Sequence, residues 1–296
     1  MKLQYESELY HFGIKGMRWG IRRFQNKDGT LTEAGRERLQ QQLNSAKSKE
    51  AKVIYDRWIQ KKYEDVGDAL RRTPDGTHTI VKGATLRRVA TEDDKIDGRV
   101  KYVSMLPADS ERYRRFKNTL GAGPNAEMYE FSYSAKKDLK VASKQQVMDY
   151  VMKEFGDTPI RDVIAWQGVT GEFASPEAKK AVRTIYNGEF GKRPVRELYD
   201  DMKLVDDNLN FLRGYQKRNS GVFGYTEAVR LIEKNFTSGT MYQKGKSTEK
   251  GQKILKHYKD LGYDAIIDIE DSGFAQYPLI LVNPNQAIAQ TGKTKL

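Results

Sequence analysis

Cysteine is absent from the 296 residues, which excludes disulfides, thiol nucleophiles, thiolate zinc sites and iron–sulfur clusters together. A disulfide-stapled secreted scaffold goes with them. Histidine is nearly as scarce. His11, His78 and His257 stand far apart, none with a second His at helical or hairpin spacing, so no metal site is expected. Long apolar runs are also missing. The longest, Ala265-Ile266-Ile267 and Leu279-Ile280-Leu281-Val282, fall far short of the roughly 18 residues that span a bilayer, so we expect a soluble chain with no membrane partner. Met1 to Tyr10 alternates apolar and polar residues, without the apolar stretch of a signal peptide. Gly121-Ala122-Gly123 runs into Pro124 with no Gly-Lys-Ser/Thr, so kinase and ATPase readings have no phosphate loop to rest on.

What is present suits a folded chain with a charged surface. Hydrophobic residues make up 38% and charged residues 31%, with 17 Tyr and only 8 Pro. The length fits one large domain with additions or two domains. Lys and Arg outnumber Asp and Glu by 52 to 40, a net charge of +12 that favours polyanions. The cations cluster at Arg71-Arg72, at Arg112, Arg114, Arg115 and Lys117, and at Lys244, Lys246, Lys250 and Lys253. No helix-turn-helix, zinc finger or aromatic RNA-binding strand accompanies them, so contact with nucleic acid would be backbone-directed, salt-sensitive and without sequence readout.

Three segments follow one another. His11 to Arg23 packs three glycines, two large aromatics and four cations into a compact loop. In it Phe12, Met17 and Trp19 can bury together and leave Lys15, Arg18, Arg22 and Arg23 outside. After the turn Asn26 to Gly29, strong helix formers run from Thr32 to about Arg72, predicting one long helix or two consecutive ones. Thr73-Pro74-Asp75-Gly76 then breaks the pattern. Strands are predicted at Thr79 to Val81, Ala84 to Val89, Arg99 to Ser104, Met128 to Tyr133 and Leu139 to Ala142, with a short helix from Pro107 carrying Tyr113. Helical patterning occupies about 143–262, with starts at Ser143, Asp157, Ser175, Pro194 and Thr226. Two apolar strands close the chain, Tyr263 to Asp268 and Pro278 to Val282. The expected class is α+β, divided as 1–31, 32–72 and 73–296.

In Leu86 to Val89 a period of two places Arg88 on the face of Leu86, and in Lys101 to Ser104 it places Ser104 on the face of Tyr102. Arg88 and Ser104 can therefore line one cleft, where a planar guanidinium would grip phosphate or ribose oxygens. Taken alone, Arg88 reads equally as a solvated cation and Ser104 as a strand end.

The order of these segments resembles the ADP-ribosyltransferase-like domains of bacteriophage proteins. A strand bearing Arg is matched by Leu86-Arg87-Arg88-Val89. A strand with Tyr-x-Ser is matched by Tyr102-Val103-Ser104, ahead of Asp109 and Tyr113. A Gly-Tyr-Asp strand and a last apolar strand ending in Asn-Pro are matched by Gly262 to Asp268 and Pro278 to Pro284. The resemblance covers roughly 79–142 and 255–290, with the helical middle as an elaboration of a split sheet. It implies NAD as cofactor, held by Arg88 and Ser104 with Tyr113 near the nicotinamide, and cleavage of the N-glycosidic bond through an oxocarbenium-like state. The family's acid, usually Glu at the start of the closing strand, is replaced here by Tyr277-Pro278. The nearest carboxylates are Asp268, Glu270 and Asp271, which either reach back into the cleft or form a hydrophilic loop tip. On this resemblance Asp268, Asp271 and Ser104 are the candidate catalytic residues.

His-x-Gly-x-Lys-Gly-Met-x-Trp-Gly-x-Arg-Arg at His11 to Arg23, followed by Asp28 to Thr32 and Ala34-Gly35-Arg36, resembles a module at the front of diverse proteins from tailed phages of Gram-positive hosts. That resemblance implies a tag for packaging or docking. His11, Lys15, Trp19, Arg22 and Arg23 would contact a head or portal protein, or packaged DNA; the segment can also simply cap the first helix. The two resemblances imply a virion-associated protein, minor head or ejected, found in the virion and in the host cytoplasm during assembly or after ejection. Its C-terminal domain would ADP-ribosylate a host protein. The alternative is a non-catalytic structural or DNA-contacting virion component with a degenerate transferase fold.

Overall fold

A computed structural model describes residues 32–37, 66–73, 75–91, 101–115, 127–167, 176–203, 220–243, 246–273 and 275–296. The chain is α+β. Its strands are β1 Leu70–Arg72, β2 His78–Ile80, β3 Thr85–Ala90, β4 Lys101–Ser104, β5 Tyr129–Ala135, β6 Leu139–Ala142, β7 Tyr242–Gln243, β8 Lys246–Ser247, β9 Ala265–Ile267, β10 Pro278–Leu281 and β11 Ile288–Lys295. The longer helices are α1 Pro107–Arg115, α2 Lys144–Phe155, α3 Ile160–Gln167, α4 Pro176–Asn187, α5 Ser220–Thr237 and α6 Glu249–Asp260. The described residues fall into two units, one of 152–236 with a helical turn at 33–37, the other of 66–151 and 237–296.

The second unit is built on a nine-stranded sheet in the order β1-β2-β6-β9-β10-β4-β3-β5-β11. Every pairing is antiparallel except β6 with β9. A parallel pair cannot be joined by a hairpin, and the crossover here is everything between Ala142 and Ala265, the predicted helical middle included. Burial of β9 (Ala265, Ile266, Ile267) and β10 (Leu279, Ile280, Leu281) on both faces explains their unbroken apolar runs. Leu86, Tyr133, Leu139 and Val141 complete the centre of this core, each wholly buried. Ser143 caps α2 reciprocally: its Oγ accepts from the Gln146 N–H while Gln146 Oε1 accepts from the Ser143 N–H.

The predicted helix through Arg72 is not what forms at its end. A single 3-10 turn, Gly67–Ala69, leads into β1, which pairs with β2 from Leu70↔Ile80 to Arg72↔His78. The reversal is local chemistry. Asp75 Oδ1 accepts from the Thr77 N–H at 3.0 Å, the Gly76 N–H donates to Thr73 O at 3.0 Å, and Gly76 takes φ 81, which only glycine adopts cheaply. Pairing, with Ala69 and Leu70 packed on the core, outweighs the helix propensity of 66–72. The remainder of the predicted helix, 38–65, lies outside the described residues.

Two elements lie outside the sequence reading. The hairpin β7–β8 sits inside the predicted helical stretch. Strand β11 is polar, with Ile288 its one buried residue, yet it pairs along β5 from Ile288↔Ala135 to Lys295↔Tyr129 with a register shift between Gln290 and Gly292.

In the first unit Val163, Ile164, Ala178, Val182 and Ile185 bury the facing sides of α3 and α4, as their spacing predicts. Pro159 and Pro194 meet in an isolated antiparallel bridge. Arg36, on the helical turn at 33–37, donates from Nε to Asp201 Oδ1 at 2.9 Å.

Candidate functional site

Strands β3 and β4 are neighbours in the sheet yet pair at one position only, Arg87↔Ser104. Where a ladder stops, its carbonyls must find other donors. Arginine supplies them: Arg88 Nη1 donates to Tyr102 O at 2.9 Å and Arg87 Nη1 to Met105 O at 3.2 Å. The gap these side chains bridge opens into a cavity of about 330 Å³. Its lining includes Arg87, Arg88, Tyr102, Ser104, Ser110, Tyr113, Tyr242, Asp268 and Asp271.

Period-two alternation sets Arg88 on the face of Leu86 and Ser104 on the face of Tyr102, and the structure brings Arg88, Tyr102 and Ser104 to one cavity. Consecutive residues, Arg87 with Arg88 and Tyr102 with Ser104 through Val103, line the same cavity. The cavity is a seam between parted strands, so side chains of both parities reach it. Leu86, on the same face of β3 as Arg88, is fully buried in the core.

The acid-bearing turn after β9 contributes Asp268 and Asp271 to the lining. Asp268 is 1% exposed, and its Oδ1 accepts from the backbone N–H of Glu270 at 3.0 Å and of Asp271 at 3.4 Å. Burial first, then the neighbouring charges of Asp271 and Glu270, hold its carboxyl well above the usual range. Glu270 is turned the other way, accepting from the N–H groups of Met241 and Tyr242 and so tying β7 to the turn. Its carboxyl is also raised, chiefly by burial. Asp271 accepts from Tyr113 Oη at 2.7 Å and is hydrogen-bonded by Tyr242 as well. Burial and these carboxylates push the Tyr102, Tyr113 and Tyr242 hydroxyls up, so all three are donors at neutral pH. Tyr102 and Tyr242 meet edge to face with centroids 5.2 Å apart.

The structure thus brings Arg88, Ser104, Tyr113, Asp268 and Asp271 to one cavity, and the acids are not a solvated loop tip. Ser104 serves from beneath: its Oγ donates to Asp109 Oδ2 and accepts from the Leu106 N–H at 3.2 Å. Tyr277 places its hydroxyl 2.6 Å from His78 Nδ1. Sequence reasoning missed Arg87, Tyr102 and Tyr242 as lining residues. Arg87 and Tyr102 adjoin predicted residues, and only the parted strands bring them in; nothing local in the sequence marks Tyr242. His11, Lys15, Trp19, Arg22 and Arg23 lie outside the described residues.

The cavity is lined by guanidinium donors, carboxylates and tyrosine rings. That donor set fits a ligand with anionic, hydroxyl and aromatic parts, which NAD has. Among the described residues no three His, Asp or Glu side chains are grouped to hold a metal ion, and no helix is long and apolar enough to cross a membrane.

Comparison with known proteins reaches only the N-terminus, where a family of unknown function (DUF7211) matches residues 2–26. No curated protein and no solved structure matches the chain.

Proposed function

We propose that the seam cavity binds NAD and serves mono-ADP-ribosylation of a host protein, in a phage virion-associated protein docked through His11 to Arg23. The observation that carries this reading is the convergence of Arg88, Ser104, Tyr113, Asp268 and Asp271, spread over more than 180 residues, on one cavity where the sheet parts. On this reading residues 66–151 and 237–296 are an ADP-ribosyltransferase-like domain, its sheet split between β4 and β3. NAD, when bound, supplies the ADP-ribosyl group. Arg88 stands in the cavity lining and holds a phosphate or ribose oxygen with its guanidinium. Tyr113 and Tyr242 orient Asp271 as an acceptor. Asp268 keeps Oδ1 on backbone N–H groups, leaving Oδ2 for a proton or a ribose hydroxyl. The DUF7211 match to residues 2–26 spans the docking motif.

The test is incubation of the purified protein with labelled NAD and host lysate, comparing wild type with Arg88→Ala and Asp268→Ala. Losing charge-assisted bonds from Arg88 should cost about 1.5–3 kcal/mol of NAD affinity, roughly tenfold or more. Asp268→Ala should abolish transfer while sparing binding. Label transfer surviving both substitutions places the chemistry elsewhere. Mass spectrometry of purified particles should find the protein; its absence rejects the virion reading.

One observation favours the alternative, a non-catalytic virion component with a degenerate transferase fold. The closing strand carries Tyr277, engaged with His78, in place of a carboxylate. Wild-type protein that binds no NAD would decide for it.

A further inference from the structure

Asp109 is the most completely buried carboxylate beside the cavity, at 0% exposure, and it is not among the cavity's lining residues. It sits in the first turn of α1, where a carboxylate suits the helix N-terminus. Its Oδ1 accepts from the Gln276 N–H at 2.8 Å, and its Oδ2 from the Tyr277 N–H at 3.0 Å and from Ser104 Oγ. Arg112, one turn on, lies 3.6 Å away and balances the charge. One side chain therefore joins the end of β4, the start of α1 and the segment that enters β10. Tyr113 stands four residues after Asp109, hence on the same side of α1, and its hydroxyl grips Asp271. The turn that carries the acids is thus fastened to one helix face at both ends, at Asp271 by Tyr113 and at Gln276 and Tyr277 by Asp109. Between Asp268 and these fastenings the Asp268 N–H donates to Pro278 O at 3.0 Å, closing the base of the turn.

We infer that Asp109 is the positioning residue of the site: it sets where the acid-bearing turn, and with it Asp268 and Asp271, stands against the seam between β3 and β4. Its consequence for transfer rests on the NAD reading above, whereas its grip on the turn does not. A carboxylate is required because three donors from two segments converge on two oxygens, which alanine cannot serve and asparagine serves only in part, its amide nitrogen being a donor. Ser104 acts through Asp109, which explains why a strand-end serine so near the cavity turns its hydroxyl inward.

The experiment uses the full chain with Asp109→Ala, Asp109→Asn and Ser104→Ala, reading amide exchange at Gln276 and Tyr277 and, separately, kcat and KM for transfer from labelled NAD. Asp109→Ala should speed exchange at both amides by about tenfold or more, the loss expected for bonds to a charged acceptor. It should lower kcat by a similar factor with KM for NAD changed less than about threefold, and Asp109→Asn should recover part of both. Unchanged exchange at Gln276 and Tyr277 in both Asp109 variants overturns the inference. So does a loss of protection spread evenly to Leu86 and Tyr133, which marks a purely structural residue. If Asp109→Ala does not fold, Asp109→Asn and Ser104→Ala decide by the same readouts. A wild type that neither binds NAD nor transfers label defeats the NAD reading alone, because the exchange data still decide where Asp109 acts.

Discussion

The two sides of β3 are built differently. On one side Thr85–Ala90 pairs with Tyr129–Ser134 at six consecutive positions, and β5 pairs in turn with β11. On the other β3 meets β4 at a single pair, and arginine side chains take the carbonyls the ladder leaves. The paired side buries Leu86, Phe131 and Tyr133, while the parted side opens the cavity lined by Arg87, Arg88, Asp268 and Asp271. A continuous ladder satisfies the backbone and leaves side chains free to pack, and an interrupted one obliges polar side chains to stay at the break. The site lies where the sheet fails to close, for that reason.

Three substitutions sharpen the contrast. Leu86→Ala, on the paired side, should cost about 2–5 kcal/mol, because the side chain is wholly buried and the ladder holds the vacated space open. Urea unfolding should show a lower midpoint with an unchanged slope, and a loss under 1 kcal/mol would mean that the core around β3 collapses freely. His78→Gln addresses the far end of the same sheet. Burial, then the charge of Arg72, lowers His78 to about 4 from 6.5. The folded state therefore binds fewer protons than the unfolded chain between those values, and stability should fall as pH drops from about 6.5 through about 4. Gln cannot titrate, so melting temperatures measured across that window should fall less steeply for the variant; parallel curves would assign the acid sensitivity to other groups. Smallest is Arg87→Met on the parted side. It removes the bond to Met105 O and a 3.9 Å ion pair with Glu130 of β5, and should cost about 0.5–1.5 kcal/mol, with faster amide exchange confined to β3 and the strands beside it. A loss as large as that for Leu86→Ala would show that the seam carries as much stability as the ladder.

Apolar runs made β9 and β10 legible, since a strand buried on both faces shows as uninterrupted Ile, Leu and Ala. The Ser143 cap was legible because its Gln partner stands three residues on. Strand β11 was not, for Thr, Lys and Gly along an exposed edge carry no pattern, and only its partner β5 makes it a strand. Within the site, Arg88, Ser104, Tyr113 and the acids were legible as residues. Asp109 looked like one more helix-start acid, and Tyr242 lay in a stretch read as helix. The role of Asp109 depends on Gln276 and Tyr277, 167 and 168 residues on, and that of Tyr242 on the acids of the turn after β9.

By itself the sequence determined the α+β class, most strand positions, the helical character of the stretch between β6 and β9, and the absence of thiol chemistry. These follow from local propensity, side-chain period and composition, which act over a few residues. Only the tertiary structure decided that β3 and β4 part after one pair, that Leu70–Arg72 turns back as a strand, and that a turn with no catalytic signature lines one cavity with two arginines. Each is settled by a contact between distant segments, whose favourable energy exists only once the chain has paid the entropy of bringing them together.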